Sequence, residues 1–244
     1  MRLFANTGFL YKDRPFLDRI AQAAHDGFDG VEFHDEWRDV SRDDLRAALR
    51  EAGLPVGGLN AFMGPTSGRA ALPGHAAAAR ADVEEALDAA RDLGAGAVHV
   101  LAGETEATED AMAAYRETLV HAADRAAGLT ILIEPLCAAA KPVYPLRTVP
   151  QAAEIVEAVG RPALRILFDL FHVHGAGDPP VETFRRHADR IGHVQIADPA
   201  TRHEPEGIGP VLRDLRAAGY GGAFGCEYAP RGDTSAGLGW RSAL

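Results

Sequence analysis

The clearest indication of the architecture is the stretch Ala158-Val-Gly-Arg-Pro-Ala-Leu-Arg-Ile-Leu-Phe-Asp169. Its glycine follows an amphipathic segment and precedes a short apolar run that begins at Leu164. Glycine readily ends a helix in the left-handed conformation, which costs other residues more. We therefore interpret this stretch as the end of a helix followed by a strand.

The same order of helix, glycine and apolar run recurs along the chain. The other runs that follow such a glycine are Gly30–Phe33, Pro55–Asn60, Ala97–Val100, Thr130–Glu134 and Ala223–Glu227. Leu3–Ala5 and Ile191–Ile196 bring the strand candidates to eight, at a spacing of about thirty residues. Strict alternation of strands and helices requires a parallel sheet.

Eight such units in 244 residues match the size of a closed barrel. We predict an α/β fold, a single-domain (β/α)8 TIM barrel over residues 1–244, in which Arg231–Leu244 is too short for a normal eighth helix. The alternative is an open doubly wound sheet. It is disfavoured because no GxGxxG motif follows the first strand.

Composition narrows the class of partner. The net charge of −10 disfavours nucleic acid or an anionic membrane, because phosphate binding requires a basic surface. The two cysteines, Cys137 and Cys226, form no CxxC motif, which disfavours a redox motif or a cysteine-rich zinc site. No signal-peptide core and no membrane-length apolar run are present. We expect a cytoplasmic protein with a small-molecule substrate, and leave a homo-oligomer open.

Polar residues stand near the ends of the last four predicted strands. In a TIM barrel the functional residues collect at these carboxyl ends. Because strand side chains alternate between faces, the apolar neighbours should point outward to the helices. These neighbours are Ile131, Ile133, Ile166, Phe168, Val194, Ile196, Phe224 and Cys226. The polar residues Glu134, Asp169, Gln195 and Glu227 should then converge inside the barrel.

Three carboxylates cannot share a dry site without a counter-charge. A divalent cation supplies one, and oxygen ligands favour Mg²⁺ or Mn²⁺ over zinc or copper. A single acidic residue at a strand end is more often a helix cap or a solvated loop residue, so the joint pattern carries this argument. The sequence thus predicts a metal held by Glu134, Asp169, Gln195 and Glu227.

Other polar residues border the same predicted mouth. Glu32 and Asn60 near the ends of earlier strands are candidates for substrate binding. His172, in the loop predicted after strand six, could contact substrate or cap the next helix, and we favour substrate. His99 and His193 are interpreted as structural. The segment His34–Trp37 is expected to be solvated surface.

Several motifs resemble those of the hydroxypyruvate isomerase family, within the xylose isomerase-like barrels. They are Asn6, Gly30-Val-Glu-Phe33, Ile131-Leu-Ile-Glu-Pro135, Phe168-Asp-Leu-Phe-His172, Gly192-His-Val-Gln-Ile-Ala-Asp198, Gly225-Cys-Glu-Tyr228 and Thr234-Ser-Ala-Gly-Leu-Gly-Trp240. The resemblance implies the same four metal ligands, with Glu134 and Glu227 as the acid/base pair. It implies an isomerase of a small hydroxy-carbonyl acid, either hydroxypyruvate to tartronate semialdehyde or a 2-oxo-tetronate.

Two departures from that family concern the substrate. Cys137 stands where the family has Asn, and the loop Ala61–Arg69 is shorter and lacks a Trp. A ketose 3-epimerase, with the same metal and paired glutamates, is the main alternative. A metal-dependent nuclease is disfavoured because it needs further metal ligands and a basic groove. A non-catalytic sugar-binding barrel is disfavoured because such a protein does not need the paired glutamates.

An acid substrate needs a cation at the barrel mouth. Arg202 follows Gln195 by seven residues, and a guanidinium can bind both oxygens of a carboxylate. We therefore predict that Arg202 reads the substrate carboxylate, with a solvated loop arginine as the alternative.

Overall fold

A computed structural model describes all residues, 1–244, and shows a closed barrel of eight parallel strands. Each strand pairs with the next, and the last pairs with the first, which confirms the predicted TIM barrel. The strands are β1 Leu3–Asn6, β2 Gly30–Phe33, β3 Val56–Asn60, β4 Ala97–His99, β5 Thr130–Ile133, β6 Leu164–Asp169, β7 Ile191–Ile196 and β8 Phe224–Cys226.

Helices lie between the strands and surround the barrel. They are α1 Phe16–His25, α2 Arg42–Ala52, α3 Ala76–Leu93, α4 Glu109–Asp124, α5 Val149–Val159, α6 Leu170–Gly175, α7 Pro180–His187 and α8 Gly209–Ala217. Short 3-10 helices cover Glu36–Arg38, Gly64–Thr66 and Ala236–Ala243. The 3-10 helix Ala236–Ala243 takes the place of the α-helix that normally follows the last strand of such a barrel. None of the helices is long and apolar enough to cross a membrane.

Glycine ends three helices in the way that the sequence predicts. Gly53, Gly94 and Gly160 follow α2, α3 and α5 with φ angles of 66°, 65° and 61°. These are left-handed values, which glycine adopts without a steric penalty. Each one turns the chain from the end of a helix toward the next strand.

The apolar strand residues predicted to face the helices do so. All eight of them, from Ile131 on β5 to Cys226 on β8, are 0% exposed and belong to the main apolar core. A separate cluster of Ala97, Leu132 and Leu167 comes from the opposite faces of β4, β5 and β6. The alternation of faces therefore directs the neighbouring polar residues into the barrel.

Strand register fixes which polar residues are neighbours. Asp169 on β6 pairs with Gln195 on β7, and Gln195 pairs in turn with Gly225 on β8. Beyond β8, with which β1 pairs, Asn6 on β1 pairs with Glu32 on β2. These pairings place the candidate residues of β6 and β7 side by side, and likewise those of β1 and β2.

Candidate active site

A cavity of about 180 Å³ opens at the carboxyl ends of the strands. Its lining residues are Phe9, His34, Asn60, Met63, Ser67, His99, Leu101, Glu134, Leu136, Ala140, Lys141, His172, Arg202 and Glu227. A larger and more open groove of about 600 Å³ lies on the outside of α3, α4 and α5. That groove carries paired surface charges such as Arg80 and Glu117, whereas buried polar groups converge at the barrel mouth.

The four predicted metal ligands all lie inside the barrel, but the compact group of possible metal-ligating atoms consists of Glu134, Asp169 and His172 and leaves out Glu227. Glu134 follows β5, Asp169 ends β6, and Glu227 follows β8. Each is at most 6% exposed. Gln195 lies beside Asp169, and its Nε2 is 3.5 Å from Oε1 of Glu227. Asp169 also accepts a 2.8 Å hydrogen bond from the Phe171 amide, so it caps α6 as well.

Glu227 is surrounded by hydrogen-bond donors. Its Oε2 accepts from Arg202 at 2.5 Å, and its Oε1 lies 3.0 Å from Nε2 of His34 and 3.0 Å from Nδ2 of Asn6. Burial alone would raise the pKa of this carboxyl. The contacts with His34 and Arg202 outweigh burial and lower the pKa to about 2. Glu227 is therefore an anion in the resting site.

Glu134 and Asp169 have the opposite electrostatic environment. Burial, then the charges of Glu227 and Asp169, raise the pKa of Glu134 well above its ordinary value. The pKa of Asp169 is raised to about 7, mainly by burial. The charge of Arg202 lowers this pKa, and the charge of Glu227 raises it, but burial has the largest effect. A proton or a cation is needed on this side of the site.

Four buried atoms around the site have no hydrogen-bond partner: Oε1 of Glu134, Oε1 of Gln195, Nε2 of His99 and Nε of Arg202. Unpartnered buried polar atoms are rare in folded proteins and call for a specific explanation. Two of the four are oxygens of predicted metal ligands, and Mg²⁺ and Mn²⁺ prefer oxygen ligands. The donor set therefore fits the predicted divalent cation.

His172 lies in α6 rather than in the predicted loop. With Glu134 and Asp169 it forms a group whose ligand atoms all lie within 4.8 Å of one another. Its Nδ1 accepts from the backbone amide of Cys137 at 3.2 Å, and burial, together with Arg202, lowers its pKa to about 3. A neutral imidazole with an accepting Nδ1 carries its proton on Nε2. That Nε2 lies 3.9 Å from Glu134 and 3.8 Å from Asp169, so it offers the cavity a hydrogen-bond donor.

Arg202 is packed into the site rather than solvated. Its guanidinium carbon lies 4.6 Å from the ring centre of Phe9 and 4.9 Å from that of Phe171. Its side chain is 22% exposed and reaches both Glu227 and Asp169, at 2.5 and 3.4 Å. This packing holds a fixed positive charge beside two of the three carboxylates.

The remaining predicted residues lie on the other side of the barrel. Asn60 lines the mouth cavity, and its Oδ1 is 3.1 Å from Nδ1 of His99. Glu32 does not line the mouth cavity. It lies beside a separate cavity of about 20 Å³ deeper in the barrel, where its Oε2 is 2.7 Å from Nε2 of His193.

The expectation that His34–Trp37 is solvated surface is wrong at both ends of the segment. His34 contacts Glu227, and Trp37 is 1% exposed and donates from Nε1 to the Asn60 carbonyl at 3.0 Å. Gly8 makes room for His34, since a Cβ there would lie 2.4 Å from the imidazole. A tryptophan inside a short charged loop was the signal in the sequence that this loop turns inward.

Phe9 and Lys141 are two further cavity residues that sequence reasoning missed. Phe9 packs on Arg202, and Lys141 donates to Oε1 of Glu104 at 2.7 Å. Both residues lie in loops, Phe9 after Asn6 at the end of β1 and Lys141 after Pro135, which follows β5. No local pattern distinguishes them from ordinary loop residues.

Comparison with known proteins places the chain in a family. Residues 20–244 match the family model described as xylose isomerase-like TIM barrel. The chain is 39% identical to the 2-oxo-tetronate isomerase of Cupriavidus necator, over 98% of this chain and 96% of that protein. It is 35% identical to a human protein provisionally named hydroxypyruvate isomerase, over 98% of this chain and 94% of that protein.

A solved structure described as AP endonuclease, family 2, from Brucella melitensis is also similar. It is 31% identical, with a TM-score of 0.95 over 100% of this chain and 98% of that one. The motifs at the strand ends, the closed barrel and these matches agree with one another. The chain therefore belongs to the xylose isomerase-like TIM barrel family.

Proposed function

We propose that this protein is a metal-dependent isomerase that moves a carbonyl group between neighbouring carbons of a small hydroxy-carbonyl acid. Hydroxypyruvate and a 2-oxo-tetronate are the proposed substrates. The observation that carries the proposal is the placement of Glu134 and Glu227, two buried carboxyls that line one small cavity together with Arg202. The names of the similar isomerases support the same class of reaction.

Carbonyl transfer requires removal of a proton from one carbon and delivery of a proton to its neighbour. A positioned carboxyl can perform either step. Glu134 enters after β5 and Glu227 after β8, so the two approach the cavity from different walls. A carboxyl has two oxygens, so Glu134 could hold the metal through one of them and accept or deliver a proton with the other.

The enediolate formed between the two proton transfers carries negative charge. His172 Nε2–H and the guanidinium of Arg202 both face the cavity and can donate to an oxygen anion there. A bound Mg²⁺ or Mn²⁺, held by Glu134, Asp169, Gln195 and Glu227, would supply further positive charge beside the same oxygens.

Cavity size and charge favour an acid of three or four carbons. A cavity of about 180 Å³ is small, since pockets for drug-sized ligands begin near 300 Å³. Arg202 and Lys141 are the cationic side chains that line it. A ketose 3-epimerase, the alternative, needs room for a longer neutral sugar. The net charge of −10 agrees with a small-molecule substrate rather than nucleic acid.

Solvent exchange tests the proposal even where the product is unidentified. The protein is incubated in D₂O with Mg²⁺ or Mn²⁺ and a panel of three- to six-carbon hydroxy-carbonyl compounds, and carbon-bound deuterium is read by NMR. We expect deuterium in hydroxypyruvate or a 2-oxo-tetronate, and none after chelation of the metal. Exchange only in neutral five- or six-carbon ketoses would contradict the proposal and favour the epimerase.

A further inference from the structure

The Gln195 side chain has two ends of similar shape and opposite chemistry. Its carbonyl oxygen can bind a cation, whereas its amide nitrogen carries two hydrogens and cannot. In the structure Nε2 donates to Oε1 of Glu32 at 2.8 Å. Oε1 of Gln195 is buried and has no partner. Some feature of the protein must select this orientation over its reverse.

Glu32 is the nearer of the two carboxylates that favour this orientation, since Nε2 lies 2.8 Å from Oε1 of Glu32 and 3.5 Å from Oε1 of Glu227. An ionised carboxylate only accepts hydrogen bonds. Oε1 of Glu32 also accepts from Asn6 Nδ2 at 3.2 Å, and Oε2 of Glu32 lies 2.7 Å from His193 Nε2. A reversed Gln195 amide would set its oxygen against a carboxylate oxygen, with no hydrogen between them. Two buried acceptors would then face each other, which costs free energy in a dry interior.

The barrel also makes room for Glu32 at this place. A Cβ on Gly225 would lie 2.3 Å from Oε1 of Glu32, and Gly225 is the register partner of Gln195 on β8. Glu32 is 4% exposed and does not line the mouth cavity. Its surroundings are protein donors rather than space for a substrate, which is at odds with its predicted role in substrate binding.

We infer that Glu32 is a positioning residue that holds the Gln195 amide with its oxygen toward the metal. The inference rests on the proposed function, because it assumes a divalent cation at Glu134, Asp169, Gln195 and Glu227. It assigns Glu32 no contact with substrate. Partners of this kind commonly set the orientation of a metal ligand and contribute to metal affinity.

A double-mutant cycle on Mn²⁺ affinity tests the inference. Glu32→Gln keeps the shape but can present either a donor or an acceptor to Gln195. We expect it to weaken Mn²⁺ binding about 10- to 100-fold, the usual effect of losing such a partner. In a Gln195→Met background, position 195 has no amide to orient and no strong acceptor to set against Glu32. There Glu32→Gln should change the affinity less than about threefold.

Binding is measured by calorimetry and by the electron paramagnetic resonance of free Mn²⁺, on full-length protein first stripped with chelator. Glu204→Gln, at a buried glutamate paired with Arg231, is the matched control and should leave the affinity unchanged. If Glu32→Gln does not fold, Glu32→Met, of similar length and without strong acceptors, gives the same comparison.

Each outcome has a distinct meaning. Unchanged affinity in Glu32→Gln overturns the inference. Equal losses in both backgrounds also overturn it, because they would show a general structural role without coupling to Gln195. A wild-type protein that binds no Mn²⁺ would overturn the proposed metal site and, with it, this inference. A loss of Mn²⁺ affinity on Glu32→Gln in the wild-type background, with little change in the Gln195-substituted background, supports both the proposed metal site and the role of Glu32.

Discussion

Nη2 of Arg202 lies 2.5 Å from Oε2 of Glu227, and this ion pair is fixed in place from several sides. Phe9 and Phe171 flank the guanidinium, and the Arg202 backbone has a left-handed φ of 59°. The Arg202 amide donates to the Asp198 carbonyl, and the Arg202 carbonyl accepts from the Ala229 amide. A substrate carboxylate would compete with Glu227 for the same guanidinium.

Replacement of Arg202 should therefore penalise acid substrates selectively. Arg202→Leu should raise KM for the acid substrate about 10- to 100-fold, because it removes one or two hydrogen bonds to a charged group. The effect on a neutral sugar of similar size should be far smaller. Steady-state kinetics with the acid and with the neutral sugar measure the two changes in KM. Lys141→Met is the control, because it removes a positive charge from the same cavity. Equal effects on the acid and the neutral sugar would mean that Arg202 does not read the carboxylate.

The two glutamates should each be essential for turnover. Glu134→Gln and Glu227→Gln keep the shape and one oxygen but remove the acid or base. We expect each variant to lose at least about 100-fold in kcat, the usual contribution of a positioned acid or base. Metal content is measured in both, because loss of the metal would have the same effect. A metal-loaded Glu227→Gln enzyme with near-normal turnover would rule out the two-glutamate mechanism.

Asp169 should couple metal binding to stability. Asp169→Ala removes a proposed ligand, so we expect little bound Mn²⁺ and no rise in Tm when the ion is added. The wild-type protein should gain about 2.7 kcal/mol at a free Mn²⁺ concentration of 100 Kd, because a ligand that binds only the native state stabilises it. Thermal melts with and without Mn²⁺ compare the two proteins. Undiminished Mn²⁺ binding by Asp169→Ala would show that the ligand assignment is wrong.

The barrel was predictable from the sequence because its signals are local. A glycine such as Gly160 ends a helix through its own backbone conformation, without contacts from distant residues. Side chains along a strand alternate between its two faces, so the sequence also predicts which of them face inward. The same period predicted that Glu134, Asp169 and Gln195 lie together. Parallel pairing of consecutive strands then needed no further information, since each strand follows its neighbour in the chain.

The parts that escaped prediction depend on contacts between distant loops. The approach of His34 to Glu227 joins the loop after β2 to the end of β8, and it depends on the space left by Gly8. The placement of Arg202 between Phe9 and Phe171 joins two loops and the start of α6. Glu32 was predicted to bind substrate at the barrel mouth, but it lies beside the deeper cavity, in space that Gly225 of β8 leaves for it.

A pH-dependent contribution to stability should come from Asp26, which follows α1. Its carboxylate accepts from Tyr11 at 2.8 Å, Ser235 at 2.5 Å and Gln22 at 3.0 Å. Burial alone would raise the pKa of Asp26, but these hydrogen bonds lower it overall. A lowered folded-state pKa stabilises the native state above the unfolded pKa of about 4 and stops doing so as the pH falls through the folded value.

Asp26→Asn should accordingly reduce the free energy of unfolding at pH 7 by about 1–2 kcal/mol. The difference from wild type should shrink as the pH falls below about 4. Urea titrations at several pH values measure it, with Asp13→Asn, at an exposed acidic residue, as the control. A difference that stays constant down to pH 2 would exclude the ionised Asp26 carboxylate as its source.

Closure of the barrel by β8 has a consequence for synthesis on the ribosome. The amide of Phe224 donates to the carbonyl of Arg2, so the first and last strands meet only after nearly all of the described chain has emerged. Until then β1 and β7 present open edges, which favour aggregation of nascent chains. Glu134 and Asp169 can meet earlier, whereas Glu227 arrives with the closing strand. The nascent chain can therefore acquire the proposed pair of glutamates only in the same step that seals the barrel.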